Sequence, residues 1–130
     1  MVGLDASLIA ALSKDQAIGR TLTDVQTDFI YAPQYKLVFE TLADDLWADL
    51  TAQLRAGRYS PGPLVTAEVP KATGMTRPGS ILQPLDRVLF QAIADYIAPT
   101  LDRPLDGARV FSYRILNPDP ELISKAVEIR

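Results

Sequence analysis

The sequence contains no cysteine and no histidine among its 130 residues. The lack of cysteine excludes disulfides, thiolate metal sites and cysteine nucleophiles from this chain. The lack of histidine excludes Ser-His-Asp and Cys-His mechanisms, and it would leave any zinc site with carboxylate ligands alone.

Long apolar runs are missing as well. No segment approaches the roughly 18 uninterrupted apolar residues that a membrane span requires. The first 16 residues have no basic start before their apolar run, and Asp5 interrupts that run, so we expect no secretory signal. We therefore expect a cytoplasmic protein without a membrane partner.

Positive charge is scarce overall but concentrated in one region. The formal net charge is −3, which argues against a free-standing nucleic-acid binder because phosphate neutralisation normally requires a basic excess. Residues 1–54 hold three cations and eight anions, whereas residues 55–87 hold five cations and two anions. A general single-strand binder would also interleave aromatic residues with cations, and this sequence does not.

The apolar content, 48% of the chain, is sufficient for one domain with a hydrophobic core. We predict a single domain over residues 1–130 with an α+β fold, in which several helices surround a small antiparallel hairpin. Apolar periodicity predicts helices over residues 4–14, 23–31, 35–54 and 85–97, with ends near Gly19, Pro33, Gly57 and Pro99. We also predict a turn at residues 105–107, a strand over 109–116 and a short helix over 121–130.

The third predicted helix carries a row of carboxylates on its polar face: Glu40, Asp44, Asp45 and Asp49. Such a row has the oxygen ligands that a divalent cation prefers. On the outer side of an amphipathic helix, however, charged residues are usually solvated. We favour the solvated interpretation.

A basic hairpin is the central feature of the sequence. Residues 64–69 and 79–82 are predicted to pair as antiparallel strands around a turn that contains Lys71, Gly74 and Arg77. Gly74 permits a positive φ in that turn. An arginine fork and a lysine point charge on a rigid hairpin suit a phosphate-bearing ligand, and a merely solvated turn is the alternative interpretation.

The last strong helical pattern follows this hairpin directly. Pro84 suits a first-turn position, and Asp86 favours the helix N-terminus electrostatically. Arg87 and Gln91 lie a turn apart on the side away from the apolar stripe. They would face either a ligand or the remainder of a larger structure.

Several short motifs follow one another in a fixed order: GRYSP at residues 57–61, Pro70-Lys71, Arg77-Pro78, Asp86-Arg87 and Gln91-Ala92. This order resembles the fingers region of bacterial reverse transcriptases of the group II intron, retron and antiphage types. The resemblance covers roughly residues 37–115. Many group II intron and retron enzymes have a Gly-Phe-Arg-Pro segment where this chain has residues 111–115, FSYRI, and this departure favours the antiphage type.

The resemblance implies a role for each matching residue. Lys71 and Arg77 would grip the triphosphate of an incoming dNTP, in a fingers portion that closes over an RNA or DNA template. Asp86 and Arg87 would set the helix start and its contacts with neighbouring elements or the template. Arg114 would be a template contact or a structural residue.

The palm aspartates of this family, which hold two Mg²⁺ ions, have no counterpart after Arg114. Leu42-Ala43-Asp44-Asp45 imitates one palm motif, but it lies upstream of the fingers motifs and inside a helical stripe, so we reject it as catalytic. We expect a chain that is inactive alone, with Mg²⁺ only in an intact enzyme. We also expect a palm-bearing partner chain or self-association. The alternative is a non-catalytic protein-interaction or regulatory module with a polymerase-like shape.

Overall fold

The computed structural model describes residues 4–27 and 32–102. Within these ranges the elements are α1 (Ala6–Ala11), α2 (Lys14–Thr27), α3 (Pro33–Thr41), α4 (Ala43–Arg55), β1 (Val65–Pro70), β2 (Thr76–Ile81) and α5 (Pro84–Asp102). The predicted α+β class is confirmed, with helices beside one antiparallel strand pair. The elements predicted at residues 105–107, 109–116 and 121–130, and the end of the helix predicted over 23–31, lie outside the described residues.

The hydrophobic core is formed by the helices, and α5 packs against α2, α3 and α4. The most buried large side chains of the core are Phe39, Leu50 and Val88, each at most 1% exposed. The apolar stripe predicted for α5 is buried at its N-terminal half. Its C-terminal members Tyr96 and Ile97 are 49% and 43% exposed, so the described structure covers only part of the stripe.

Helix α2 corrects the predicted boundaries near the N-terminus. Gly19 does not end a helix but lies inside α2, and Thr23, the predicted start of the second helix, lies inside α2 as well. The Thr23 Oγ1 donates to the Gly19 carbonyl oxygen at 3.1 Å. An interior glycine costs a helix only about 1 kcal/mol relative to alanine. Burial of Ala17, Ile18 and Val25 along the same helix outweighs that cost.

The helix predicted over residues 35–54 is two helices that meet at Leu42. The φ and ψ of Leu42 are −121° and 19°, outside the helical range. Just before the break, the Thr41 Oγ1 donates to the Leu37 carbonyl oxygen at 2.7 Å, a bond that bends helices. The break lets α3 pack against α2 and α4 pack against α1.

The predicted helix end at Gly57 is confirmed, and its geometry explains it. Gly57 has a φ of 62°. Its N–H donates to the Leu54 carbonyl at 3.1 Å, and the Arg58 N–H donates to the Gln53 carbonyl at 3.0 Å. This pair of bonds is the Schellman arrangement, which satisfies the last carbonyls of a helix.

Strands β1 and β2 form the predicted hairpin, with Val65 opposite Ile81 and Pro70 opposite Thr76. Strand β2 begins three residues earlier than predicted and therefore includes Pro78, which lies opposite Glu68. Proline is compatible with this position because both strands of the described two-stranded sheet are edge strands. On the outer edge of such a strand no neighbouring strand accepts a hydrogen bond, so the N–H that proline lacks is not required.

Helix α5 continues through Pro99 to Asp102, so the predicted end at Pro99 was wrong. The ring removes one backbone bond, to the Asp95 carbonyl, but its fixed φ remains compatible with a helix. None of the helices in the described ranges combines the length and the apolar character that crossing a bilayer requires.

Candidate functional site

The hairpin turn is a three-residue loop with a tightly specified geometry. The Lys71 N–H donates to the Met75 carbonyl at 2.7 Å, and the Gly74 N–H donates to the Lys71 carbonyl at 3.0 Å. Gly74 has a φ of 81°. A type I turn followed by a left-handed residue is a common three-residue hairpin connection, and it fixes the register of the strands on either side.

That register places the two predicted phosphate-binding cations on one face of the hairpin. Arg77 lies opposite Val69, and directly opposite residues of an antiparallel pair share a face. Lys71 follows Val69 by two residues and keeps the same side. Lys71 and Arg77 are thus diagonal neighbours, whose Cα atoms lie about 7–8 Å apart in such a pairing.

The surroundings of the two cations favour an anion over a cation. Both side chains are exposed. The one carboxylate of the strand pair, on Glu68, alternates to the opposite face. This face also carries Val69, which is only 7% exposed, so its exposed part is the pair of long cations, which can bracket a phosphate group from two sides.

Asp86 connects the start of α5 to the preceding loop. Its side chain is buried, at 9% exposure for the residue. Oδ1 accepts a hydrogen bond from the Tyr59 hydroxyl, and Oδ2 accepts one from the Gly62 N–H at 2.9 Å. Burial, followed by the bond to Asp86, raises the pKa of Tyr59 well above its usual value, so Tyr59 donates as a neutral phenol.

The contact between this loop and α5 also leaves little room for a side chain at Gly62. A Cβ at this position would lie 2.7 Å from the Gln83 Cγ and 3.3 Å from the Asp86 Oδ2. The GRYSP loop is therefore held against the start of α5 by two hydrogen bonds and by close packing. The sequence pattern predicted the loop and the helix start but not their connection.

Arg87 and Gln91 line a cleft of about 230 Å³ between α2, α5 and the end of β2. The other lining residues are Asp24, Ser80, Leu82 and Phe90. Ser80 is three positions from Arg77, so alternation places this cleft on the opposite face of β2 from the cation pair. The structure thus separates Lys71 and Arg77 from Arg87.

A buried charge network lies behind the cleft. The Asp95 Oδ1 accepts hydrogen bonds from Arg20 and from the Gln91 Nε2, the latter at 2.6 Å. The side chains of Arg20 and Asp95 are 16% and 5% exposed, and Asp95 Oδ2 has no hydrogen-bond partner within residues 4–27 and 32–102. Burial raises the pKa of Asp95 above its ordinary value, against the opposing effects of Gln91 and Arg20.

No family model matches this sequence, and neither the curated proteins nor the solved structures searched contain a significant match. The function proposed below therefore depends on the geometry of this chain's own residues.

Arg114 and the carboxylates at residues 40–49 were also candidate site residues in the sequence. Arg114 lies outside the described residues. Within the described ranges no three Asp or Glu side chains group as metal ligands, and Asp44 instead accepts a hydrogen bond from Lys14 at 2.6 Å.

Sequence reasoning missed Asp24 and Asp95. Asp95 had a signal, since it lies seven residues after Val88 on the buried side of α5.

Proposed function

We propose that this chain is a fingers-like part of an RNA-directed DNA polymerase that grips the triphosphate of an incoming dNTP with Lys71 and Arg77. The observation that supports the proposal best is the hairpin register, which places these two exposed cations on the same side of the strand pair. The guanidinium of Arg77 would donate two parallel hydrogen bonds to phosphate oxygens. The ammonium of Lys71 would add a mobile point charge from the other strand.

In the proposed enzyme, a palm would supply the metal ligands that the described residues lack. These residues contain no candidate group of metal ligands, so no metal-dependent step is assigned to them. In the proposed enzyme, Mg²⁺ and its carboxylates belong to a palm, and this chain contributes only binding and orientation. The bonds from Tyr59 and Gly62 to Asp86 hold the loop beside the hairpin and the start of α5 together.

Calorimetric titration of the full chain with dTTP and Mg²⁺ tests this proposal. We expect Lys71→Ala and Arg77→Ala each to weaken binding about tenfold or more, because a hydrogen bond between charged groups contributes about 1.5–3 kcal/mol. Arg77→Lys should restore only part of the affinity, since lysine cannot form the bidentate contact.

Arg55→Ala is the matched control for charge. Arg55 is an exposed arginine in the last turn of α4, so its loss changes the net charge equally without altering the hairpin. Binding that all three alanine variants weaken alike would indicate a nonspecific charge effect. The dNTP grip would be refuted by affinity that neither Lys71→Ala nor Arg77→Ala changes, and equally by no binding at all.

One observation favours the second candidate, a non-catalytic protein-interaction module. Phe90, Ile97 and Leu101 recur on one side of α5 and are 65%, 43% and 61% exposed. Apolar rows that stay exposed often mark contact surfaces. In this function dTTP would not bind, and substitutions at Ile97 and Leu101 rather than at the hairpin would abolish association.

A further inference from the structure

The hairpin register determines which backbone groups of β1 point away from β2. The Lys71 N–H donates to the Met75 carbonyl, so these two residues form a hydrogen-bonded pair of the antiparallel ladder. Such pairs alternate along the strands with non-hydrogen-bonded pairs, whose N–H and C=O groups point away from the partner strand. By this alternation, Thr66 and Glu68 belong to non-hydrogen-bonded pairs. Their N–H and C=O groups therefore point outward from β1.

The two prolines of the hairpin agree with this assignment and distinguish its two edges. Proline has no N–H to donate, and both Pro70 and Pro78 occupy non-hydrogen-bonded pairs. Pro78 is the middle one of the three outward positions of β2, and a proline there protects that edge from further pairing. On β1, Thr66 and Glu68 both keep their outward N–H. The outer edge of β1 can therefore extend the ladder, whereas that of β2 is interrupted.

The described part of the chain leaves the outer edge of β1 accessible. Among the described elements β1 packs mainly against β2, and the Thr66 and Glu68 side chains are exposed. Leu64 and Val65, where the strand begins, are 59% and 47% exposed. No hydrogen bond joins the outward N–H groups to another residue of the described ranges. An uncovered strand edge is a template on which a further extended segment can pair.

The side chains of β1 specify the chemistry of such a segment. Val65, Ala67 and Val69 lie on one face of the strand, and Thr66 and Glu68 lie on the other. Residues directly opposite each other in an antiparallel pair interact, and opposite charges stabilise the pair. Glu68 has no ion pair within the described residues. The matching segment therefore has a lysine or arginine opposite Glu68 and β-branched apolar residues opposite Val65 and Ala67.

We propose that the outer edge of β1 binds an extended basic segment of a partner protein, which adds to the hairpin as a third, antiparallel strand. Main-chain hydrogen bonds with Thr66 and Glu68 supply the affinity, and the cation opposite Glu68 supplies selectivity. A second copy of β1 matches less well, because β1 contains no cation to place opposite Glu68. The interaction requires neither Lys71 nor Arg77, so it goes beyond the dNTP grip and does not depend on it.

Titration of the full chain with a synthetic peptide tests this proposal. The probe is acetyl-Ser-Val-Lys-Val-Thr-Val-Ser-amide, which places its lysine opposite Glu68 when its central valine lies opposite Ala67. Amide hydrogen exchange measured by NMR is the readout. Without peptide, the Thr66 and Glu68 amides should exchange faster than the Ala67 amide, which donates to β2. At about ten times the Kd of the peptide, exchange at Thr66 and Glu68 should slow about tenfold, since only the unbound fraction exchanges.

Two proline substitutions at opposed positions are the matched variants. Thr66→Pro removes an outward N–H from β1 without removing a bond between the strands, so the hairpin should persist and peptide binding should be lost. Ser80 lies directly opposite Thr66. Ser80→Pro removes an outward N–H from β2 instead, so peptide binding should be retained. Protection of the Lys71 amide, which donates across the turn, shows whether the hairpin is intact in each variant.

The selectivity is tested by exchanging charges. Glutamate in place of the peptide's lysine should weaken binding to the wild type about 1.5- to 5-fold, and Glu68→Lys should reverse this preference. Glu40→Lys makes the same change in net charge at an exposed position of α3 and should leave the preference unaltered.

Several outcomes would overturn the proposal. Slow exchange at Thr66 and Glu68 without peptide would mean that the chain's own residues cover the edge, and slow exchange only at high protein concentration would mean that a second copy does. Equal loss of binding in Thr66→Pro and Ser80→Pro, an unchanged preference in Glu68→Lys, or no binding of either peptide would also refute it. The dTTP titration can succeed or fail independently of all these results.

Discussion

Asp95 is a buried carboxyl group whose Oδ1 accepts hydrogen bonds from Arg20 and Gln91, while its Oδ2 has no partner in the described part of the chain. Because burial raises its pKa, the folded state binds this proton more tightly than the unfolded state does. Stability contributed by that proton is therefore present at low pH and is lost as the pH rises from about the ordinary value of 3.8 through the raised pKa.

The prediction compares the wild type with Asp95→Asn by urea unfolding at several pH values. The free energy of unfolding of the wild type minus that of the variant should fall as the pH rises above about 4. Taking the difference cancels the contributions of other carboxylates, such as Asp5, whose pKa is lowered. A difference that rises with pH would show that the ion pair with Arg20 outweighs burial.

The hydroxyl group of Tyr59 provides a second prediction, which concerns the free energy of unfolding. Tyr59→Phe removes the donor to the buried Asp86 Oδ1. We expect a loss of about 1–3 kcal/mol in the free energy of unfolding, because a buried acceptor is left unsatisfied. Tyr35→Phe is the control, since the Tyr35 ring packs edge-on against Phe39 with centroids 6.3 Å apart and its hydroxyl makes no hydrogen bond to a described residue. Equal effects of the two substitutions would contradict the role of the Tyr59 hydroxyl.

The hairpin turn gives a prediction at the scale of the element. Gly74 has a φ of 81° and open space around it, so Gly74→Ala adds no clash but strains the backbone by about 1–2 kcal/mol. Gly74→Asn should cost less, since asparagine adopts this conformation more readily. Hydrogen exchange at the Lys71 amide, which donates across the turn to Met75, measures the opening of the hairpin.

Gly19→Ala is the opposite case and serves as the control. A Cβ added at Gly19 would also meet no atom within 4 Å, but this glycine lies inside α2 without a positive φ. Alanine there should stabilise the protein by about 0.5–1 kcal/mol. If both glycine substitutions shifted stability in the same direction, the turn geometry inferred for Gly74 would be incorrect.

The sequence predicted the features that neighbouring residues determine, and it missed those that depend on packing between distant parts of the chain. The end of α4 and the hairpin followed from Gly57 and Gly74, whose conformations are set within a few residues. The break at Leu42 was missed because an unbroken apolar stripe runs through it, and only packing of α3 and α4 against different helices requires it. The cleft was missed for the same reason, since Asp24 and Arg87 lie 63 residues apart and only α2 packing on α5 brings them together.

At the scale of the whole molecule, α5 leaves an apolar surface that a second copy of the chain could cover. Ile97 and Leu101 lie one turn apart on α5 and expose 43% and 61% of their surface. Leaving this row in water forgoes about 25 cal/mol for each Å² of apolar surface that a partner could cover. We therefore expect the isolated chain to self-associate through this row.

Sedimentation velocity over a range of protein concentrations measures this expectation. The wild type should sediment faster as its concentration rises, whereas the double variant Ile97→Lys, Leu101→Lys should remain monomeric, because burying two ammonium groups in an apolar contact is costly. Leu37→Lys is the matched control, since Leu37 is 62% exposed and belongs to a different helix, α3. A monomeric wild type, or association that Leu37→Lys abolishes as completely as the double variant does, would rule out this face of α5 as the surface of self-association.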